Sequence, residues 1–376
     1  MNILFISPQP YPNGMAATKR IRLFAEYLAK NNNVKAFICG KNNEANLDEG
    51  EKAGVFWKFI KFSRFEYFLS FLKIYRLLKI NFIERDKNII ILYDGIGLTN
   101  FMFAIIGRKL GYKIFTDIVE DYSFHQEDTS FLLTILHKVN IHFDKKINYF
   151  VDGMITLSQK LYSKYSHPQF KNVPLILIPI SAENINLPII KKESKYFCFV
   201  YSGSFGKKDG VEILIDAFSE LTKKYKNIRL ILSGKITKDL KANIEDKKNI
   251  DYAGLIPDKD YYQFLANADV LVMSRVDSIY ANSGFPFKLG EYLATKNTVI
   301  ATKVSDVPNY LTDNINSLLA EPSSVSSLLD KMEYAINNQD KLSEIGRNGW
   351  EVCNKYFNPS INGKNLEGFI QKISSK

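Results

Sequence analysis

The run Ser283-Gly284-Phe285-Pro286-Phe287-Lys288-Leu289-Gly290-Glu291-Tyr292-Leu293-Ala294 holds the residue types best suited to chemistry in this chain. It follows an apolar strand pattern, Val270-Leu271-Val272-Met273, and precedes another, Thr298-Val299-Ile300-Ala301. Gly and Pro open the backbone between them, and Lys288 and Glu291 stand three apart where a helical pattern begins. A helix N-terminus gathers unpaired N–H groups and partial positive charge, which suits a phosphate. The lysine adds charge there, and a carboxylate one turn on can accept hydrogen bonds from sugar hydroxyls. A nucleotide sugar combines those two features. The same pattern also fits a plain strand-turn-helix with a surface lysine and a solvated glutamate, so the run needs support from elsewhere in the chain.

Two further loops supply it. Tyr201-Ser202-Gly203-Ser204-Phe205-Gly206-Lys207-Lys208-Asp209-Gly210 places glycines and two lysines between a strand and a helix, a second phosphate-facing candidate. It is not a Walker A sequence, because no GK[ST] stands at the required spacing. Ser7-Pro8-Gln9-Pro10-Tyr11-Pro12-Asn13-Gly14-Met15-Ala16-Ala17-Thr18 is not GxGxxG, so dinucleotide binding has little support, yet its small residues let a ligand approach the backbone. Asp117-Ile118-Val119-Glu120-Asp121 follows another strand pattern and offers carboxylates, and His125 comes soon after. Those acids fit either a catalytic edge or the solvated cap of a following helix.

The elements that must position these loops alternate strand and helix, the pattern of parallel sheets covered on both faces. Strands are expected at Asn2–Ser7, Val34–Cys39, Asn88–Tyr93, Lys113–Ile118, Gly153–Leu157 and Leu175–Pro179, with helices at Thr18–Lys30, Leu98–Leu110 and Gln159–Tyr165. Periodicity fades over Ala182–Glu193, which reads as a linker, and a second alternation starts at Phe197–Ser202. It continues through Val211–Lys224, Arg229–Ser233, Asp260–Asn267, Val270–Ser274, Pro286–Ala294, Thr298–Thr302 and Val325–Asn337. The expected division is residues 1–185, residues 186–358, and a last helix over 359–376 that packs back on the first domain. Two doubly wound domains, each with ligands at the carboxyl ends of its strands, follow from this.

With 376 residues, two cores are the default, and 46% hydrophobic against 24% charged residues argues for a folded chain. Cys39, Cys198 and Cys353 form neither a disulfide framework nor a metal spacing, and the histidines His125, His137, His142 and His167 make no metal motif, so no metal is expected. No signal peptide or spanning segment is read, which points to the cytoplasm or the inner face of a membrane. The formal charge is +10. Its densest stretch runs from Phe56 to Lys79, where aromatic and aliphatic residues interleave with Lys58, Lys61, Arg64, Lys73, Arg76 and Lys79. That composition suits a helix lying on an anionic membrane surface, and also a core-facing helix with snorkelling lysines. Nucleic acid is not expected as a partner, because no reader motif accompanies the charge.

Taken in order, the Gly203 loop, Asp251-Tyr252-Ala253-Gly254-Leu255-Ile256-Pro257, the Gly284–Ala294 run and Val299-Ile300-Ala301-Thr302 resemble the GT-B retaining glycosyltransferases of family four. The resemblance extends to Pro8–Gly14, Ile155-Thr156-Leu157-Ser158 and Gly346-Arg347-Asn348-Gly349. It implies an α/β fold of two Rossmann-like domains facing across a cleft, a UDP-linked nucleotide-sugar donor, no cofactor, and a glycan or lipid-linked acceptor. The phenylalanine-proline-x-lysine form resembles the subgroup that builds bacterial cell-surface polysaccharides, including capsule and lipopolysaccharide. On this resemblance Glu291 holds the ribose, and backbone N–H groups at Phe287, Lys288 and Leu289 hold the diphosphate, beside Gly284, Phe285 and Pro286. Leu255 and Ile256 flank the base, and Gly14 and Met15 approach the phosphate. The family's first acid falls on Ser283 and its basic pair on Ser204 and Asp209. Lys288, with Lys207 or Lys208 and Arg275, then carries the missing charge. Glu120 is the candidate for orienting the acceptor hydroxyl, with Asp117 and His125 near the acceptor. A sugar-nucleotide epimerase and a catalytically silent binding relative are the alternatives.

Overall fold

The computed structural model describes residues 1–39, 48–61, 67–95, 97–121, 131–170, 173–183 and 194–375. The chain divides into two compact units, Met1–Pro179 with Pro359–Lys376, and Ile180–Asn358. Residues 184–193, most of the expected linker, lie outside the described residues, as does His125.

Among the described residues the first unit is built on eight strands. They are β1 (Asn2–Ser7), β2 (Asn33–Ile38), β3 (Glu49–Lys52), β4 (Val55–Phe59), β5 (Asn88–Tyr93), β6 (Lys113–Ile118), β7 (Gly153–Thr156) and β8 (Leu175–Leu177). Their order is β3-β4-β2-β1-β5-β6-β7-β8, and only β3 runs antiparallel to its neighbour. Every residue of β1 and of β5 is buried, the continuous apolar run expected of strands covered on both faces. The order reverses between β1 and β5, so the loops after these two strands open at one switch point.

The last helix, Pro359–Ser374, belongs to this unit. It lies on the helix Ala16–Ala29, with Gly363 so close to Tyr27 that a Cβ there would sit 2.3 Å from the ring. Asn32 donates to Glu367 at 2.8 Å, and the Phe369 ring meets Phe115 edge-on at 5.9 Å.

The basic aromatic stretch does not form one helix. Val55, Trp57 and Phe59 alternate inward in β4, and Lys58 pairs with Glu49 across to β3. Period-2 burial of large rings outweighs the helical reading of that half. Among the described residues of the stretch, Tyr67–Asn81 is the helical part.

The second unit has β9 (Phe197–Ser202), β10 (Ile228–Ser233), β11 (Ile250–Gly254), β12 (Val270–Met273), β13 (Thr298–Thr302) and β14 (Leu318–Ala320). The order is β11-β10-β9-β12-β13-β14, parallel throughout, the doubly wound arrangement with its switch point between β9 and β12. Phe199, Leu214, Phe218, Leu230 and Val272 are at the centre of its core, all buried. The helix Val211–Lys224 presents Val211, Leu214, Ile215, Phe218 and Leu221 at helical spacing to that core.

Candidate functional site

In the second unit the residues with chemistry converge where β9 and β12 end. Gly210 closes the loop after β9 with φ +62, and a Cβ there would lie 2.1 Å from the Ser274 carbonyl oxygen. Only glycine accepts both the left-handed backbone and that approach. The Ser274 hydroxyl in turn donates to the Asp209 carbonyl at 3.0 Å, which ties the loop to the end of β12. Gly203 leaves room on the other side: a Cβ there would lie 2.7 Å from Lys288 Nζ.

Lys288 sits in the first turn of the helix Phe287–Ala294, whose N-cap, Pro286, makes no side-chain cap bond. Its ammonium donates to Asp209 Oδ1 and to the Tyr201 hydroxyl, each at 2.7 Å, and lies 4.4 Å from the centre of the Tyr201 ring. Ser204 donates to the other Asp209 oxygen, and the Tyr201 hydroxyl donates to the Ser204 carbonyl. The two positions where the family resemblance expects basic residues therefore build the partner of the lysine that stands elsewhere. Asp209 is the counterion of Lys288.

Burial pulls the Lys288 pKa down; Asp209 opposes this, while repulsion from Arg275 and Lys208 adds to it. Burial alone would raise the Asp209 carboxyl. The Lys288 charge, hydrogen bonds from Lys288 and Ser204, and Arg275 overcome it and hold the carboxyl below the usual range. Burial, then Asp209, drives the Tyr201 phenol well above its ordinary value, so it stays protonated and donates. Arg275 thus acts on both members of the pair, and Lys208 acts on Lys288. Arg275 is buried just after β12, and Lys208 lies over the Tyr280 ring at 4.4 Å, while Lys207 is exposed.

One turn on, Glu291 is half-buried and accepts from the Tyr261 hydroxyl at 3.0 Å. Burial, then the Glu291 charge, raises the Tyr261 phenol, which keeps that bond pointed at the carboxylate. Tyr292, buried beside it, donates to the Ser202 carbonyl at 2.8 Å and accepts from the Ser202 N–H at 2.7 Å. It locks the helix to the end of β9. Sequence reasoning missed Tyr201, Tyr261 and Tyr292, since tyrosines in apolar runs read as core.

Other expected residues are placed differently. Ser283 is buried and its hydroxyl donates to the Tyr280 carbonyl, so it closes a helix turn. Phe285 packs into the interior against Tyr310 and Phe357. Gly284, Pro286 and Leu289 are also buried, and the Leu289 N–H bonds the Pro286 carbonyl at 3.1 Å within its own turn. Leu255 is exposed at the end of β11 and Ile256 half-buried beside it.

In the first unit, Gly14 packs against Thr18, whose hydroxyl donates to the Pro10 carbonyl at 2.8 Å, and Met15 is exposed at the N-cap of Ala16–Ala29. Asp117, expected beside an acceptor, is buried and bound through both oxygens by Arg20, at 2.7 and 2.8 Å. Arg20 also donates to the carbonyls of Pro179 and Ile178. Asp117 therefore holds the interior together. Glu120 is half-buried after β6, and Asp121 next to it pairs with Lys164 at 2.8 Å, which also reaches Asp144 at 2.8 Å.

Both units are Rossmann-like, and the fold is that of the GT-B glycosyltransferases. Residues 183–352 match the family model for glycosyl transferases group 1, a span that contains the whole Lys288 site. The chain is 28% identical over 275 residues to an uncharacterised glycosyltransferase of Methanocaldococcus jannaschii, covering 65% of this chain and 75% of that protein. It is 24% identical over 208 residues to the capsular polysaccharide biosynthesis glycosyltransferase CapM of Staphylococcus aureus, 50% of this chain and 51% of that one. Among solved structures it is similar to Anabaena HepE in complex with UDP, with a TM-score of 0.73 and 15% identity over 99% of this chain and 100% of that one. HepE has also been solved with UDP-glucose.

Proposed function

We propose that the protein is a retaining glycosyltransferase that moves a sugar from a UDP-linked donor to a glycan or lipid-linked acceptor in cell-surface polysaccharide synthesis. The observation that carries this reading is the placement of Lys288 in the first turn of the helix Phe287–Ala294 at the β9–β12 switch point, beside Gly203 and bonded to Asp209 of the glycine loop. A nucleoside diphosphate is the anion that such a cationic helix start suits. Glu291, aligned by Tyr261, takes the ribose hydroxyls. UDP binding by HepE and the capsular role of CapM favour the choice of nucleotide and pathway class.

In the reaction the bond between the anomeric carbon and the β-phosphate oxygen breaks, and the acceptor oxygen bonds that carbon on the same face. The acceptor proton passes to the departing phosphate oxygen. Lys288 and its neighbouring cations stabilise the charge that gathers there, without a metal ion. In the first unit we assign Glu120 to orienting the acceptor hydroxyl. Gly203 leaves the Lys288 ammonium uncrowded, and Gly210 lets the loop close on Ser274.

Incubation with UDP-sugars tests this, because transferases leak sugar to water. Slow release of UDP and free sugar supports the reading. UDP binding with no turnover on any donor or acceptor overturns it in favour of a binding protein, and a new epimer of the donor overturns it in favour of an epimerase.

A further inference from the structure

The helix Tyr67–Asn81 turns one face into the first unit and the other to solvent. Ile74 and Leu78 are fully buried. Leu72, Lys73, Tyr75, Arg76, Lys79 and Ile80 form the solvent side of the helix, with Phe71 at its flank beside Leu78. Its apolar members are exposed to an extent an ordinary solvated face does not show: Phe71 42%, Leu72 47%, Tyr75 37% and Ile80 82%. Three cations, Lys73, Arg76 and Lys79, lie among them, no acid stands in the helix, and Lys79 lies over the Tyr75 ring at 5.8 Å.

We propose that this face docks on an anionic lipid surface, with the apolar side chains entering the headgroup boundary and Arg76 and Lys79 meeting lipid phosphates. Interleaved apolar and basic residues are what such a surface selects. A second copy of this chain fits less well, because a twofold contact would set Arg76 and Lys79 against their own counterparts. The net charge of +10 acts in the same direction as the helix. Docking is confined to this helix, since Trp57 and Phe59 of the preceding basic stretch are in the core. The inference stands apart from the transferase reading, since no residue of the helix belongs to the candidate site.

Vesicle flotation with the full chain tests it. Vesicles of equal phosphatidylglycerol and phosphatidylcholine should carry the protein, pure phosphatidylcholine vesicles should carry far less, and half-molar salt should release most of it. Arg76→Gln and Lys79→Gln should each weaken partition about fivefold, and Leu72→Glu with Ile80→Glu should abolish it, with unfolding midpoints unchanged. Equal partition by wild type and these variants overturns the proposal. So does a dimer in sedimentation velocity that Ile80→Glu disperses while vesicles of either composition stay bare.

Discussion

In the first unit the carboxyl ends of β5 and β6 gather Asp94, Asp117, Glu120 and Asp121, with Arg20 and Lys164 among them. In the second, the ends of β9 and β12 gather Lys288, Arg275 and Lys208 around Asp209. Each unit also has a buried ion pair at that place, with nearly equal geometry: Arg20–Asp117 at 2.7 Å and Lys288–Asp209 at 2.7 Å. The pairs differ in what surrounds them. Arg20 donates to a two-pronged carboxylate and two backbone carbonyls, all within the fold. Lys288 stands in the first turn of a helix and beside Gly203, where an incoming anion would meet both the ammonium and the helix start. A buried pair enclosed by the fold holds structure, and one at a helix start is placed for a ligand.

Removing Arg20 should have the largest effect. Arg20→Ala leaves the Asp117 carboxylate buried without its partner, and should lower unfolding free energy by about 3–5 kcal/mol in urea titration. A loss below about 1 kcal/mol would place the pair outside the fold's supports. Lys288→Ala should raise the barrier to transfer by about 2–4 kcal/mol, measured as turnover per folded molecule, the size of one preorganised donor in a polar site. Near-wild-type turnover would erase the distinction between the two pairs.

Glu291→Ala should weaken UDP binding about tenfold, roughly 1.4 kcal/mol, with the fold intact, as seen by calorimetry. Unchanged affinity for every nucleoside diphosphate would count against it. The smallest effect is on pH dependence. Asp209 is held below the ordinary carboxyl range, so its contribution is complete above the unfolded value near about 4 and fades as pH falls through the folded value. Asp209→Asn should flatten that acid limb of the stability curve, and an identical slope in wild type and variant would mean the carboxylate is not held by its charged neighbours.

The α/β class, and strands such as β1, β5, β9 and β13, were legible in the sequence because buried parallel strands leave unbroken apolar runs between turn signals. β4 was not, since basic residues between aromatic ones hide a period-2 pattern. At the site, Lys288 and Glu291 were readable from local spacing. The ion pairs were not, because their partners are 79 and 97 residues apart. One signal was present: an acid at position 209 where the resemblance expects a base, in the same unit as the lysine at 288.

Calorimetric titration of UDP and of uridine into wild type and Lys288→Met tests the central claim most directly, because the two ligands differ only in the diphosphate. The account predicts that UDP binds wild type far more tightly than uridine, and that Lys288→Met removes most of that difference while leaving uridine affinity unchanged. Equal affinity for UDP and uridine in the wild type, or an undiminished UDP advantage in Lys288→Met, would contradict it.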